Sequence, residues 1–343
     1  DALDEHEGKE RPRPRDADDR AIAGERHREV ESGRRRGGSP ETDSIITVND
    51  GNVTVSNGAK LTLTDCILRL NFTSGNITRG IAITDYQSKL KLNNTHVYSV
   101  QNQRMFFYST GTTTDAVKIV FEAYNSTIKN VGHSSGGTYY KNLFIYYGGA
   151  KIMGCTIKDG YEGIDLGKGG GGYPSIVTDS LIENMEAKGV IIRAPTENYF
   201  LRNVTVRNVG SHAFDISGRN HIIQDCNAIP STSWNSTSLF SGRGFLIGGG
   251  ENTTIRNCFA NNTSYAFSSF WGVKNCTFEN CRSYNSHEDA FNTDGTNIRF
   301  INIYGKTGGY GIGFGRNARN VYVKNAYIED VGKPDYPRGL QGG

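Results

Sequence analysis

Three features of this 343-residue sequence predict an all-β solenoid. An Asn or Asp followed by a short apolar run recurs at near-constant spacing, and β-branched residues alternate with polar ones from Ser44 onward. The 43 glycines against 3 methionines also suit a chain rich in turns better than a helical one.

The repeat is plainest toward the end, at Asn257, Asn280, Asn302 and Asn325, in steps of about 22 to 23 residues. About a dozen residues after each comes a second strand of the form small–apolar–x–apolar. These are Ala266-Phe267-Ser268-Ser269, Ala290-Phe291-Asn292-Thr293, Gly311-Ile312-Gly313-Phe314 and Gly339-Leu340-Gln341-Gly342. Followed backward, the landmark falls at Asp65, Asn94, Asn125, Gly154, Asp179, Asn203 and Asp225. Early steps are about 29 to 31 residues and later ones about 22 to 25, with one long step around Ser231 to Ser241. That spacing predicts about eleven coils, with longer loops on the early ones and one insertion. Five of the six cysteines (Cys66, Cys155, Cys226, Cys258, Cys281) directly follow a landmark, and Cys276 does not.

Coils of this kind stack about 4.8 Å apart, the spacing of parallel strands. Asn tolerates the left-handed backbone of a tight bend, and its amide can pair with the Asn of the next coil, an Asn ladder. The residue after it points inward, where a small side chain stacks.

On these residues the chain from Ser44 to Gly343 resembles the right-handed parallel β-helix of the pectate-lyase-like superfamily and β-helix-repeat surface proteins. The resemblance implies a fold that hosts lyases, hydrolases, epimerases, phage tailspikes and adhesins, so function has to be read from the site.

The first 43 residues differ in texture. They are crowded with Arg, Asp and Glu and carry no apolar periodicity, so a charged, disordered arm is expected over 1–43 and the β-helix over 44–343. At the other end Gly339-Leu340-Gln341-Gly342-Gly343 stops where another core strand is due. The expectation is an uncapped end that continues in a longer protein or packs against something, so self-assembly through the arm or this end is one expected partnership. A net charge of only +3 gives no field for nucleic acid, and no apolar run is long enough to insert in a membrane.

Six cysteines leave two readings open: disulfides between stacked coils, or a column of buried thiols. Frequent Asn-x-Ser/Thr sequons favour an extracellular or cell-surface setting, with Asn52, Asn71, Asn76, Asn235, Asn252 and Asn262 as glycosylation candidates. Asn125 and Asn203 also carry sequons, but their landmark positions are expected to bury them.

In each second strand the x residue faces outward. The column runs Asp165, Ile191, Asp215, Leu246, Ser268, Asn292, Gly313, with Glu162, Lys188, Arg193, His212 and Arg243 nearby. Acid–base work on an acidic sugar needs such a set: a base removes the proton α to a uronate carboxylate while a cation neutralises the developing enolate. Asp165 and Asp215 are then candidates to hold that cation (Ca²⁺ in a lyase), and Arg193, His212 or Arg243 the base. Asn292-Thr293-Asp294 resembles the Asn-Thr-Asp element of polygalacturonases, which implies acid–base duty for Asp294, although the remaining motifs of that family are missing. Outward aromatics, Tyr140, Tyr147 and Trp234, are candidates to stack on sugar rings. Two functions follow: a structural or glycan-binding surface protein without a complete catalytic motif, or a polysaccharide lyase or glycoside hydrolase acting on an acidic glycan.

Overall fold

The computed structural model describes residues 44–72, 79–85, 87–100, 104–109, 119–132, 142–146, 148–167, 174–231, 242–307 and 309–331. The arm at 1–43, the final segment 332–343, and Tyr140, Tyr147, Trp234, Asn76 and Asn235 lie outside the described residues.

The chain is a right-handed parallel β-helix. Every strand pairing among the described residues is parallel. The strands fall into two sheets, one of them ordered coil by coil from Val53–Val55 through Ile164–Leu166 and Phe214–Arg219 to Tyr310–Phe314. Among the described residues the small–apolar–x–apolar strands belong to that second sheet, and each pairs with the strand one coil away in sequence order.

The corners explain why the repeat is spelled with Asn. All eleven landmark residues take left-handed φ, from 47° at Asn94 and Asn125 to 65° at Gly154. Asn325 donates its amide to Asn302 Oδ1 at 2.8 Å, Asn302 to Asn280 at 3.0 Å, and Asn280 to Asn257 at 3.1 Å. Asn257 reaches Asp225 at 3.0 Å across 32 residues, so the long step is absorbed outside the corner. Two further corner columns were not read in the sequence. Asn208 and Asn184 donate to Asn184 and Asp159, and Asn320 and Asn297 to Asn297 and Asn275. Cys276 follows Asn275 of this last column, which accounts for the one cysteine that the landmark left over.

Burial of Asn125 and Asn203 was expected and is not found. Both are exposed, because the left-handed residue stands at the outside of the bend and only its successor turns inward. The Asn203 amide is nonetheless engaged, donating to Asp179 at 2.9 Å. Asn252 and Asn71 likewise spend their amides on Asn220 and Asn49. Asn52 is exposed, its Oδ1 accepting the Gly80 N–H, and Asn262 is half-buried with φ 55°.

All six cysteines are free and buried. Four thiols of the landmark column, Cys155, Cys226, Cys258 and Cys281, do the work of a hydroxyl, each donating to the carbonyl two residues before it. Cys226 and Cys258 point Sγ at the carbonyls of Gln224 and Arg256, both at 3.2 Å, and the Cys258 sulfur accepts the Cys226 N–H at 3.4 Å. Ser126 and Ser180 fill the same role for Tyr124 and Thr178 carbonyls at 2.7 Å.

The core sets the register of the outer face. Phe214, Phe245, Phe267 and Phe291 are fully buried and stack ring on ring, with centroids 4.6, 5.0 and 5.1 Å apart and planes within 8°. The next residue of each strand must point the other way. The Phe stack therefore aligns Asp215, Leu246, Ser268 and Asn292 on the outside of the sheet.

Candidate active site

Pairing places the x residues in one column, Asp165 opposite Ile191, then Asp215, Leu246, Ser268, Asn292 and Gly313. A second column stands three residues upstream. The Gly163 N–H binds the Lys188 carbonyl, Gly189 the carbonyl of His212, Ala213 that of Arg243, Gly244 that of Tyr265, and Ala266 that of Asp289, all at 2.9–3.1 Å. Lys188, His212, Arg243, Tyr265 and Asp289 are thereby neighbours on successive coils. Outward does not mean solvated here: Asp165 is fully buried, His212 is 9% exposed and Arg243 3%.

The charges are paired rather than scattered. Arg193 Nε lies 2.8 Å from both oxygens of Asp165, and its Nη2 2.5 Å from Oδ2. Asn142 donates to Asp165 Oδ2 at 2.8 Å and to Glu162 at 3.0 Å. Burial pushes both carboxyls up, against the pull of Arg193 on Asp165, while Asp165 itself adds to the rise at Glu162. Lys188 Nζ lies 2.5 Å from Asp215 Oδ2.

Arg193 is thus a structural cation and not a base: burial opposes its charge, but the bond and charge of Asp165 hold the guanidinium above its ordinary value. Ca²⁺ does not fit at Asp165 either, because its oxygens already accept from Arg193 and Asn142 and it stands two coils, about 9.6 Å, from Asp215. Among the described residues no three His, Cys, Asp or Glu side chains converge to hold a metal.

His212 is the candidate base that the surroundings leave available. Burial depresses its imidazole to about 4, reinforced by Arg243 and Lys188 and opposed by Asp215, so the ring is neutral at neutral pH. Its Nδ1 finds no hydrogen-bond partner among the described residues. Arg243, also depressed by burial, lies over the rings of Phe270 at 4.7 Å and Tyr265 at 5.1 Å. Burial and the hydrogen bond with Glu288 push the Tyr265 phenol up, so it stays protonated.

Asp294 stands apart from this chemistry. Its two oxygens accept the backbone and side-chain amides of Asn317, both at 2.8 Å, so the Asn-Thr-Asp element clasps a turn. Its neighbour Asp289 is buried, bonded by Asn292, and burial lifts its carboxyl to about 6. The sequence reading missed Asn142, Tyr265 and Asp289. The signal for the last two was present, since they occupy the same offset before the x residue as Lys188 and His212.

No known protein family matches the chain, and no curated protein is similar to it. Solved structures share its β-helical form at low similarity. The enzymatically active domain of tailspike protein 2 from bacteriophage CBA120 is 13% identical over 79% of this chain and 43% of that one, with a TM-score of 0.41. The catalytic domain of an α-1,3-glucanase is 12% identical over 84% and 64%, TM-score 0.42. A mannuronic-acid-specific polysaccharide lyase from human gut microbiota is 12% identical over 79% and 76%, TM-score 0.41. The chain spans less than two thirds of the first two.

Proposed function

We propose that this β-helix is a carbohydrate-active protein whose second sheet binds an acidic polysaccharide and cleaves it by β-elimination at His212. One observation carries the reading: a neutral, enclosed imidazole stands between two cations, Lys188 and Arg243, on adjacent coils about 4.8 Å away on either side. The cations neutralise the uronate carboxylate and the enolate that grows from it, in a site where low water content strengthens the attraction. His212 takes the proton from the carbon α to the carboxylate. The electron pair forms the double bond to the β carbon, the bond from that carbon to the glycosidic oxygen breaks, and the imidazolium returns its proton to that oxygen. A depressed imidazole is a weak base but, once protonated, a strong acid, which favours the second half of the cycle. Asp165 and Arg193 act as a brace for this face, and Asp215 fixes the Lys188 ammonium. The natural setting for such a polymer is extracellular or on a cell surface.

Incubation with polygalacturonate and polymannuronate tests the reaction. Elimination gives an ultraviolet-absorbing unsaturated uronate with each new reducing end; new reducing ends without that absorbance mean hydrolysis and sink the elimination reading.

A second reading is a non-catalytic glycan-binding or structural protein. It is favoured by the Asp165–Arg193 and Lys188–Asp215 pairs, in which acid and base satisfy each other with no substrate present. Binding of a polyuronate with no new ends of either kind is its expected outcome.

A further inference from the structure

Every non-glycine residue described with left-handed φ is Asn or Asp, except Trp271 at 61°. A bulky side chain is disfavoured there. One coil back Gly248 pairs with Phe270, and the residue that follows it, Gly249, has φ 69° and lies against the Trp271 carbonyl, so this coil places a tryptophan where its neighbour uses glycine. Burial does not explain the choice, since Trp271 is 65% exposed. Its ring lies over Gly248: a Cβ at that glycine would stand 3.1 Å from both Cε3 and Cζ3. Around Gly272, which follows it with φ 77°, the space is open. Phe270 beside it, centroids 6.0 Å apart, carries the Arg243 guanidinium on its ring.

We propose that Trp271 is a stacking platform for a pyranose ring of the polysaccharide, forming a subsite two coils, about 9.6 Å, along the axis from Asp215. The inference rests on the glycan reading above. The indole supplies a rigid apolar face for the C–H side of a sugar, with contact area that costs little ordering. Glycine at 248 lets the ring lie flat against the backbone, and Arg243 behind Phe270 joins the platform to the cations of the site. A strained, exposed aromatic seated on a glycine shelf beside an enclosed charged face is what a binding function would maintain against the backbone's preference.

Trp271 reports on itself. In a Trp234→Phe background its emission is titrated with oligogalacturonate and with a neutral oligoglucoside, and Trp271→Asn is compared for affinity, cleavage and melting temperature. The expected result is a blue shift on binding of the acidic oligosaccharide. Trp271→Asn then weakens binding at least tenfold with no fall in melting temperature, because Asn suits the left-handed backbone, and His212→Gln keeps the shift. Undiminished affinity in Trp271→Asn alongside active cleavage overturns the platform and leaves the His212 site standing. A melting temperature lowered by several degrees makes Trp271 a packing residue and also overturns it, as does an emission unmoved by either sugar. A shift without any cleavage supports the platform and removes the catalytic reading.

Discussion

Arg193 holds Asp165 from the next coil, with Nε 2.8 Å from both carboxylate oxygens and Nη2 2.5 Å from one of them. The carboxylate is fully buried and the guanidinium partly exposed, so the pair behaves as an anchored charge with one wet end. Removing the arginine leaves a buried carboxylate with Asn142 alone. Arg193→Ala is expected to cost about 3 kcal/mol in urea unfolding, the usual penalty for orphaning a buried charge. Asp165→Asn in that background recovers much of the loss, since a neutral amide needs no counter-ion. An Arg193→Ala protein as stable as the parent contradicts the brace.

The corner column makes a second prediction. Asn280 has φ 53°, donates to Asn257 at 3.1 Å and accepts from Asn302 at 3.0 Å. Asn280→Ala loses two hydrogen bonds and takes on left-handed strain, together about 2–4 kcal/mol. Asn280→Gly relieves the strain and falls by less, as Gly154 at the same place in another coil implies. Equal losses for Ala and Gly show that backbone strain is not what selects Asn here.

Stability should also respond to pH through Asp289. Burial lifts this carboxyl from 3.8 to about 6, so the folded state holds the proton more tightly than the unfolded one. The stabilising contribution is full below pH about 4 and is lost as pH rises through about 6, a change of about 3 kcal/mol. Asp289→Asn should flatten that stretch of the curve. A variant whose stability falls as steeply as the parent's between pH 4 and 6 assigns the slope to another group.

His212 and His221 act in the opposite sense. Both are depressed by burial to about 4, so the unfolded chain binds protons that the folded one refuses. Stability is present above pH about 6.5 and falls as pH drops toward 4. His221 has a structural post, its Nδ1 accepting the Tyr199 N–H at 3.1 Å. His221→Gln and His212→Gln should each reduce the acid-side slope, and only His212→Gln should touch cleavage.

Much of this was legible in the sequence, and the reason is physical. A solenoid writes its geometry locally: the residue at each bend must tolerate left-handed φ, so Asn and Asp at Asp65 through Asn325 mark the coils, and alternation from Phe214 to Asp215 separates core from face. The outward column of Asp165, Ile191 and Asp215 could be read in order for that reason. What pairs with what could not. That Arg193 meets Asp165 and Lys188 meets Asp215 depends on side-chain reach between coils separated by loops of unequal length, and the burial of His212 depends on the whole enclosed face. Solvated, scattered charges and an enclosed paired cluster have the same letters.

The decisive comparison is between the parent protein and His212→Gln on the polyuronate that the parent binds, followed by ultraviolet absorbance of the unsaturated product. The variant is expected to bind the polymer with unchanged affinity and to release product at least a hundredfold more slowly, the lower range for losing a general acid–base group. Product formed at the parent's rate by His212→Gln would contradict His212 as the base.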